Sequence, residues 1–292
     1  MPSIVSYVFF DIETTGLPWQ ERNQTKIIEL SFVATTRKGL EEGSLTDIPP
    51  ISKFTLMLNP QRKIHPEVTN LTGLSNKLLV HAPVFKEKIR SLINFLQELP
   101  KPVCLVAHNG NTFDFKILLA EFMDAGTELP QDLYCVDSLV GFRKLFKNRP
   151  VIPNLNSSLE STTSDDLLTD DEDWPDLNLS AEEFKEIDDL CSSLSDVSFE
   201  EEKSAKKKIA KSRELRNKAV KKVFEKPKVA KQSFALSALY EKLVGKDAIN
   251  AHRAEADCLM LLECVLVMKS EFIEWADSAC KRLREIKPLE RY

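Results

Sequence analysis

Apolar positions along the chain fall into runs of two kinds. Ile4–Phe10 (IVSYVFF) and Val103–Ala107 (VCLVA) are nearly continuous apolar stretches of strand length, as expected of strands buried on both faces. Lys26–Thr35 (KIIELSFVAT), Ser52–Leu58 and Tyr134–Val136 predict three more strands, with a turn at Asn59–Pro60. Phe85–Leu96 repeats its apolar residues at helical spacing. Phe113–Ala125 (ending near Gly126), Ser138–Phe146, Ser233–Val244 and Arg253–Met268 predict further helices. Hairpin-like strands followed by β-α-β-α predict an α/β fold, a mixed sheet flanked by helices.

The pattern fails between Pro150 and Lys231. The first half of this stretch is rich in Ser, Thr, Asp and Glu and poor in aromatics, a composition that buries too little apolar surface to offset ordering entropy, so disorder is expected. A short helix can start at Ser180, where Glu183 completes a capping box. The second half reads as a basic helix or flexible arm ended by Pro227. The division expected is a discontinuous domain, 1–149 and 232–292, interrupted by a largely disordered insertion at 150–231.

Charge sharpens this division. Leu155–Glu202 carries 17 Asp and Glu against one Lys, and Lys203–Lys231 carries 13 Lys and Arg against two Glu. The blocks nearly cancel, so the net charge of −5 hides a near-neutral globular part. The basic block has three readings: a solvated helix, an arm contacting phosphates, or a nuclear-localisation patch at Ala205–Ile209. The acidic block, folded back, would mask the basic one from nucleic acid.

At 42% apolar residues the chain can build a core. Its longest apolar runs fall short of the roughly 20 residues that cross a bilayer, and the first strand runs straight into acidic residues, unlike a signal peptide. Six cysteines without a CxxC pair fit free thiols better than zinc ligands or disulfides. The expectation is an intracellular protein, nuclear or cytoplasmic, without a membrane segment.

Three groups could carry chemistry. Asp11 and Glu13 end the first strand, and period-two geometry puts both carboxylates on one face, as a divalent-metal site needs. The spacing alone is weak, because Asp170 and Glu172 repeat it in solvated sequence; Asp11 is equally a strand-end turn former. Asp114, in AHNGNTFDF, follows a buried strand and opens a helix, where it caps the helix or binds metal. Asp257 lies among Ala, Cys, Leu and Met on the last predicted helix, and a carboxylate there needs a partner. His252, five residues earlier, is an ordinary surface histidine or a general base. Together the four carboxylates and the histidine make a coherent two-metal site.

The stretches FFDIETTGLP (Phe9–Pro18), TGLS (Thr72–Ser75), CLVAHNGNTFDF (Cys104–Phe115), CVDS (Cys135–Ser138) and AHRAEADCLMLL (Ala251–Leu262) resemble the DEDDh exonuclease superfamily and, within it, the three-prime repair exonuclease group. The resemblance covers about two-thirds of the chain. It implies a ribonuclease H-like fold with a mixed five-stranded sheet, a homodimer through an edge strand, and Mg²⁺- or Mn²⁺-dependent release of nucleotides from single-stranded or frayed duplex DNA 3′ ends. Asp11, Glu13, Asp114 and Asp257 would hold two ions and His252 would be the base. Thr14, Thr15 and Leu17 would line the terminal nucleotide, with Leu17 as an apolar wedge and Leu74 packed near it. Asn109 and Phe113 would approach the scissile region; Ser233 and Phe234 would contact the DNA backbone. Thr14 and Ala235 depart from the Ala and Ser usual in the group, and the insertion replaces a shorter loop. An exoribonuclease acting on RNA 3′ ends, or an inactive end-binding scaffold, remain alternatives.

Overall fold

One sheet organises the chain, and its strand order puts the most apolar strands at the centre. The computed structural model describes residues 3–148, 233–249 and 251–291. β1 (Ser6–Thr14) pairs antiparallel with β2 (Ile27–Thr36) and parallel with β4 (Val103–Ala107). β3 (Ser52–Met57) extends the sheet beyond β2 as an edge, while β5 (Tyr134–Asp137) and β6 (Lys281–Arg282) extend it beyond β4. All of β4 is buried, as its unbroken apolar run requires.

The sheet has six strands, one more than expected. The sixth is only two charged residues long and carries no apolar pattern; it is held by pairing with Tyr134 and Cys135, and Arg282 stacks over the Tyr134 ring. β1 also runs four residues past the apolar stretch, through Asp11 and Glu13 to Thr14, because β2 continues the ladder beside it to the pair Glu13↔Glu29.

Among the described residues the helices are α1 (Arg37–Glu42), α2 (Pro66–Thr72), α3 (Asn76–Leu79), α4 (Phe85–Glu98), α5 (Asp114–Asp124), α6 (Ser138–Asn148), α7 (Leu236–Val244), α8 (Ala254–Val267) and α9 (Lys269–Ala279). The first three are too short to show a period. α9 follows α8 after the single residue Met268, so the two merge in the pattern. α7 starts three residues later than expected, because Ser233–Ala235 approach it outside the helix and the Ser233 hydroxyl accepts the Ala235 N–H.

Alternation along the strands sorts the core into two faces. Val8, Phe10 and Ile12 of β1, with Leu30, Phe32 and Ala34 of β2, pack under α4 and α5. Phe10, Phe32 and Phe95 form a chain of aromatic contacts there, with centroids 5.2 and 5.9 Å apart. The opposite face offers Tyr7, Phe9 and Val33 to α6–α9. Asp11 and Glu13 continue that second face, two and four residues beyond Phe9.

The expectations for Pro150–Lys231, including the helix at Ser180 and the basic arm, lie outside the described residues. Among the described residues no helix is long and apolar enough to cross a membrane.

Candidate active site

Where the second face of β1 turns from apolar to acidic, α8 crosses it. α8 packs on β1 and β2, and Asp257 on its first turn meets the strand carboxylates. Ligand oxygens of Asp11, Glu13 and Asp257 all lie within 4.8 Å of one another. Asp114, 3% exposed, opens α5 beside them; after burial, its charge is the largest influence raising the Asp11 pKa. Four carboxylates that are 246 residues apart in sequence at the extremes are thereby gathered at one end of β1.

Such crowding is unfavourable while the groups are ionised and uncompensated. Burial first, and then the charges of Asp114, Asp257 and Glu13, raise Asp11 well above the usual carboxylate range. Burial, Asp257 and Glu29 push Glu13 up to about 8. Asp114 also rises to about 8 through burial, against hydrogen bonding from backbone groups including Ile12. Asp257 rises to about 7 by burial, against the hydrogen bond it accepts from the His252 N–H at 3.1 Å. An all-oxygen donor set with excess negative charge fits a hard divalent cation such as Mg²⁺ or Mn²⁺.

His252 stands just before α8 at φ 68°, a left-handed backbone that is costly for any residue but glycine. Burial lowers its pKa, which favours the neutral imidazole. Asn109 is the second site residue in this conformation, at φ 65°. Its loop is held by Asp137, whose carboxylate accepts the N–H groups of Asn109, Asn111 and Leu139, each at 3.0 Å. Gly110 is required in that loop: a Cβ there would lie 2.7 Å from Ala107 and from the Phe115 ring. The Asn109 side-chain oxygen accepts the Thr112 hydroxyl at 2.7 Å.

The residues expected around a nucleotide divide into two sets. Leu17, Asn109, Phe113 and Phe234 are half-buried and Ser233 is exposed. Phe234 also ties the Ser233–Ala235 segment to the Asn109 loop: its carbonyl accepts a hydrogen bond from His108 Nε2 at 2.8 Å, and its ring packs edge-on against Phe146. By contrast Thr14, Thr15 and Leu74 are spent inside the fold. Thr14 donates to the Gly16 carbonyl at 3.0 Å and Thr15 to Glu21 at 2.6 Å. Leu74 is 2% exposed and packs with Ile28, Ile64 and Leu79.

Glu29, Arg253 and Asp137 are polar residues of this region to which the sequence pattern assigns no role. A lone acid inside the apolar run KIIELSF was the available signal for Glu29; Arg253 lies in the AHRAEADCLMLL stretch, which gave it no role of its own.

The mixed sheet and clustered carboxylates accompany a family match: residues 8–166 match the RNase T exonuclease family. The chain belongs to that exonuclease family. It is 37% identical over 153 residues to three prime repair exonuclease 2 of Mus musculus, covering 49% of this chain and 64% of that protein. It is 36% identical over 151 residues to three-prime repair exonuclease 1 of Homo sapiens, covering 47% of each. The chain thus spans about half to two-thirds of the length of these relatives. Among solved structures, the nuclease domain of a DEDDh-family 3′ exonuclease bound to rAMP superposes with a TM-score of 0.52 at 12% identity, covering 92% of this chain and 93% of that one. Exonuclease I of E. coli, in a zinc-bound complex with single-stranded DNA, gives 0.54 at 14% identity, over 94% of this chain and 43% of that one. At these identities the structures establish a shared fold.

Proposed function

We propose that this chain is a metal-dependent 3′→5′ exodeoxyribonuclease, releasing nucleoside monophosphates from single-stranded or frayed DNA 3′ ends. The observation that carries the reading is the convergence of Asp11, Glu13 and Asp257, with Asp114 beside them. These four carboxylates would hold two Mg²⁺ or Mn²⁺ ions. Ions bound there supply Lewis acidity toward a phosphodiester and neutralise the carboxylates.

The remaining steps belong to the protein. His252, with its imidazole kept neutral by burial, accepts the proton of the attacking water. Leu17 presents an apolar edge to the terminal base. Asn109 and Phe113 flank the scissile phosphate, and Ser233 and Phe234 contact the backbone upstream. Thr14, Thr15 and Leu74 shape the wall of the nucleotide pocket from within. The preference for DNA over RNA rests on the likeness to the three-prime repair exonucleases. The outer edge of β3, which pairs with no further strand among the described residues, supports a homodimer formed by strand pairing. Free thiols at the five described cysteines support an intracellular site of action.

The test is degradation of a 3′-overhang DNA oligomer and its RNA counterpart, with Mg²⁺ and with EDTA, by the natural chain and by Asp11→Ala and His252→Ala. Stepwise, metal-dependent loss of DNA nucleotides, abolished in both variants, is expected. Faster loss of RNA would keep the chemistry and reverse the substrate. No cleavage of either would leave a role in binding ends.

A further inference from the structure

We propose that Glu29 and Arg253 form a positioning clamp that sets the His252–Asp257 segment against Glu13. The proposal rests on the nuclease reading of the site and adds two residues to it.

Glu29 is 1% exposed and stands directly opposite Glu13 in the β1–β2 ladder. Opposed residues of an antiparallel pair share a face, and like charges there repel. Glu29 therefore lies on the metal-site side of the sheet, where it raises the pKa values of Asp11, Glu13 and Asp257. It is outside the group whose oxygens converge, and its own oxygens are engaged elsewhere. Arg253 Nε lies 3.2 and 3.0 Å from its two oxygens, and Arg253 Nη2 lies 2.6 Å from Oε1. The N–H of Ala254, the first residue of α8, donates to Oε2 at 3.0 Å.

These contacts act on one short segment. Arg253 lies between His252, with its left-handed backbone, and Ala254, where α8 begins. Holding Arg253 and Ala254 on β2 fixes the rotation of the first helical turn, which brings Asp257 to the cluster. It also fixes the chain at the point where His252 adopts its uncommon conformation. The same pairing keeps a fifth carboxylate from entering the metal site. Arginine suits this role because its planar fork makes the two-pronged contact that lysine cannot.

An ion pair with a purely structural role would show the same static contacts, so the test separates the two. Hydrogen exchange by mass spectrometry is run on the full chain, metal-free, for the natural protein and Glu29→Gln, with steady-state kinetics on a DNA oligomer alongside. The clamp predicts that amides of residues 252–258 exchange about tenfold faster in Glu29→Gln, while those of β4 are unchanged. It predicts a fall in kcat of about 10- to 100-fold with KM for DNA unchanged, and an intermediate fall for the conservative Arg253→Lys. Unchanged protection at 252–258, or protection lost evenly across the sheet, overturns the proposal. Should Glu29→Gln fail to fold, Arg253→Lys, at the more exposed end of the pair, carries the same exchange test. A natural chain without nuclease activity would sink the functional reading alone, since the metal-free exchange still decides the clamp.

Discussion

The two faces of β1 and β2 are built from the same strands and serve opposite ends. Under α4 and α5, Val8, Phe10, Ile12, Leu30, Phe32 and Ala34 form an unbroken apolar surface. On the other face Tyr7, Phe9 and Val33 begin the same way, but the next positions are Asp11, Glu13, Ser31 and Glu29. The first face gains free energy from every buried residue. The second gives some of that up where α8 crosses it, gathering carboxylates whose mutual repulsion a cation or protons would relieve. Stability and chemistry are thus separated onto the two faces of one sheet, so a substitution on either face should leave a distinct signature.

The largest contrast is in activity. Asp11→Asn is expected to lower kcat by at least about 10³-fold, measured on a 3′-overhang oligomer at saturating Mg²⁺. Phe32→Ala on the apolar face should leave kcat of the folded protein near normal and cost about 3–5 kcal/mol of stability, read by urea denaturation. Severe loss of activity in a folded Phe32→Ala protein would show that the faces are not independent.

Acidity offers a subtler contrast. Glu13 and Asp114 are raised to about 8 and Asp257 to about 7 in the folded chain, above their values when unfolded. The folded state therefore holds protons that the unfolded chain has already released. Metal-free stability should fall as pH rises from the ordinary carboxylate range to about 8. Saturating Mn²⁺ should flatten that slope. Thermal melts in EDTA and in Mn²⁺ across this range check both signs, and a metal-free slope of the opposite sign would contradict the crowding. The smallest effect belongs to neither face: Lys38→Ala, which removes the exposed pair with Glu42 at 3.7 Å, should shift the melt negligibly.

What the sequence revealed follows the same division. The apolar face and central strands were legible because period and apolarity mark them: Val103–Ala107 was delimited as observed. Asp11, Glu13, Asp114 and Asp257 were legible because acids at the ends of apolar elements stand out, and because the motifs around them resemble known exonucleases. The clamp was not legible. Glu29 and Arg253 are 224 residues apart and meet only through the strand pairing that sets Glu29 opposite Glu13 and the packing of α8 on β2. Nor did any pattern show that Thr14, Thr15 and Leu74 turn their side chains into the fold, since residues at a strand end or in the turns beyond it fit either orientation.

The crowding of carboxylates implies that the acidic half of the second face is destabilised until cations fill it. That destabilisation is tested most directly by thermal unfolding of the natural chain and Asp11→Asn at about pH 8, each titrated with Mn²⁺. The variant is expected to melt higher than the natural chain in EDTA, because it has no buried Asp11 carboxyl that must either stay charged or take up a proton on folding. Mn²⁺ is also expected to raise the melting temperature of the natural chain far more than that of the variant. A variant that melts lower in EDTA, or two chains that respond in parallel to Mn²⁺, would contradict it.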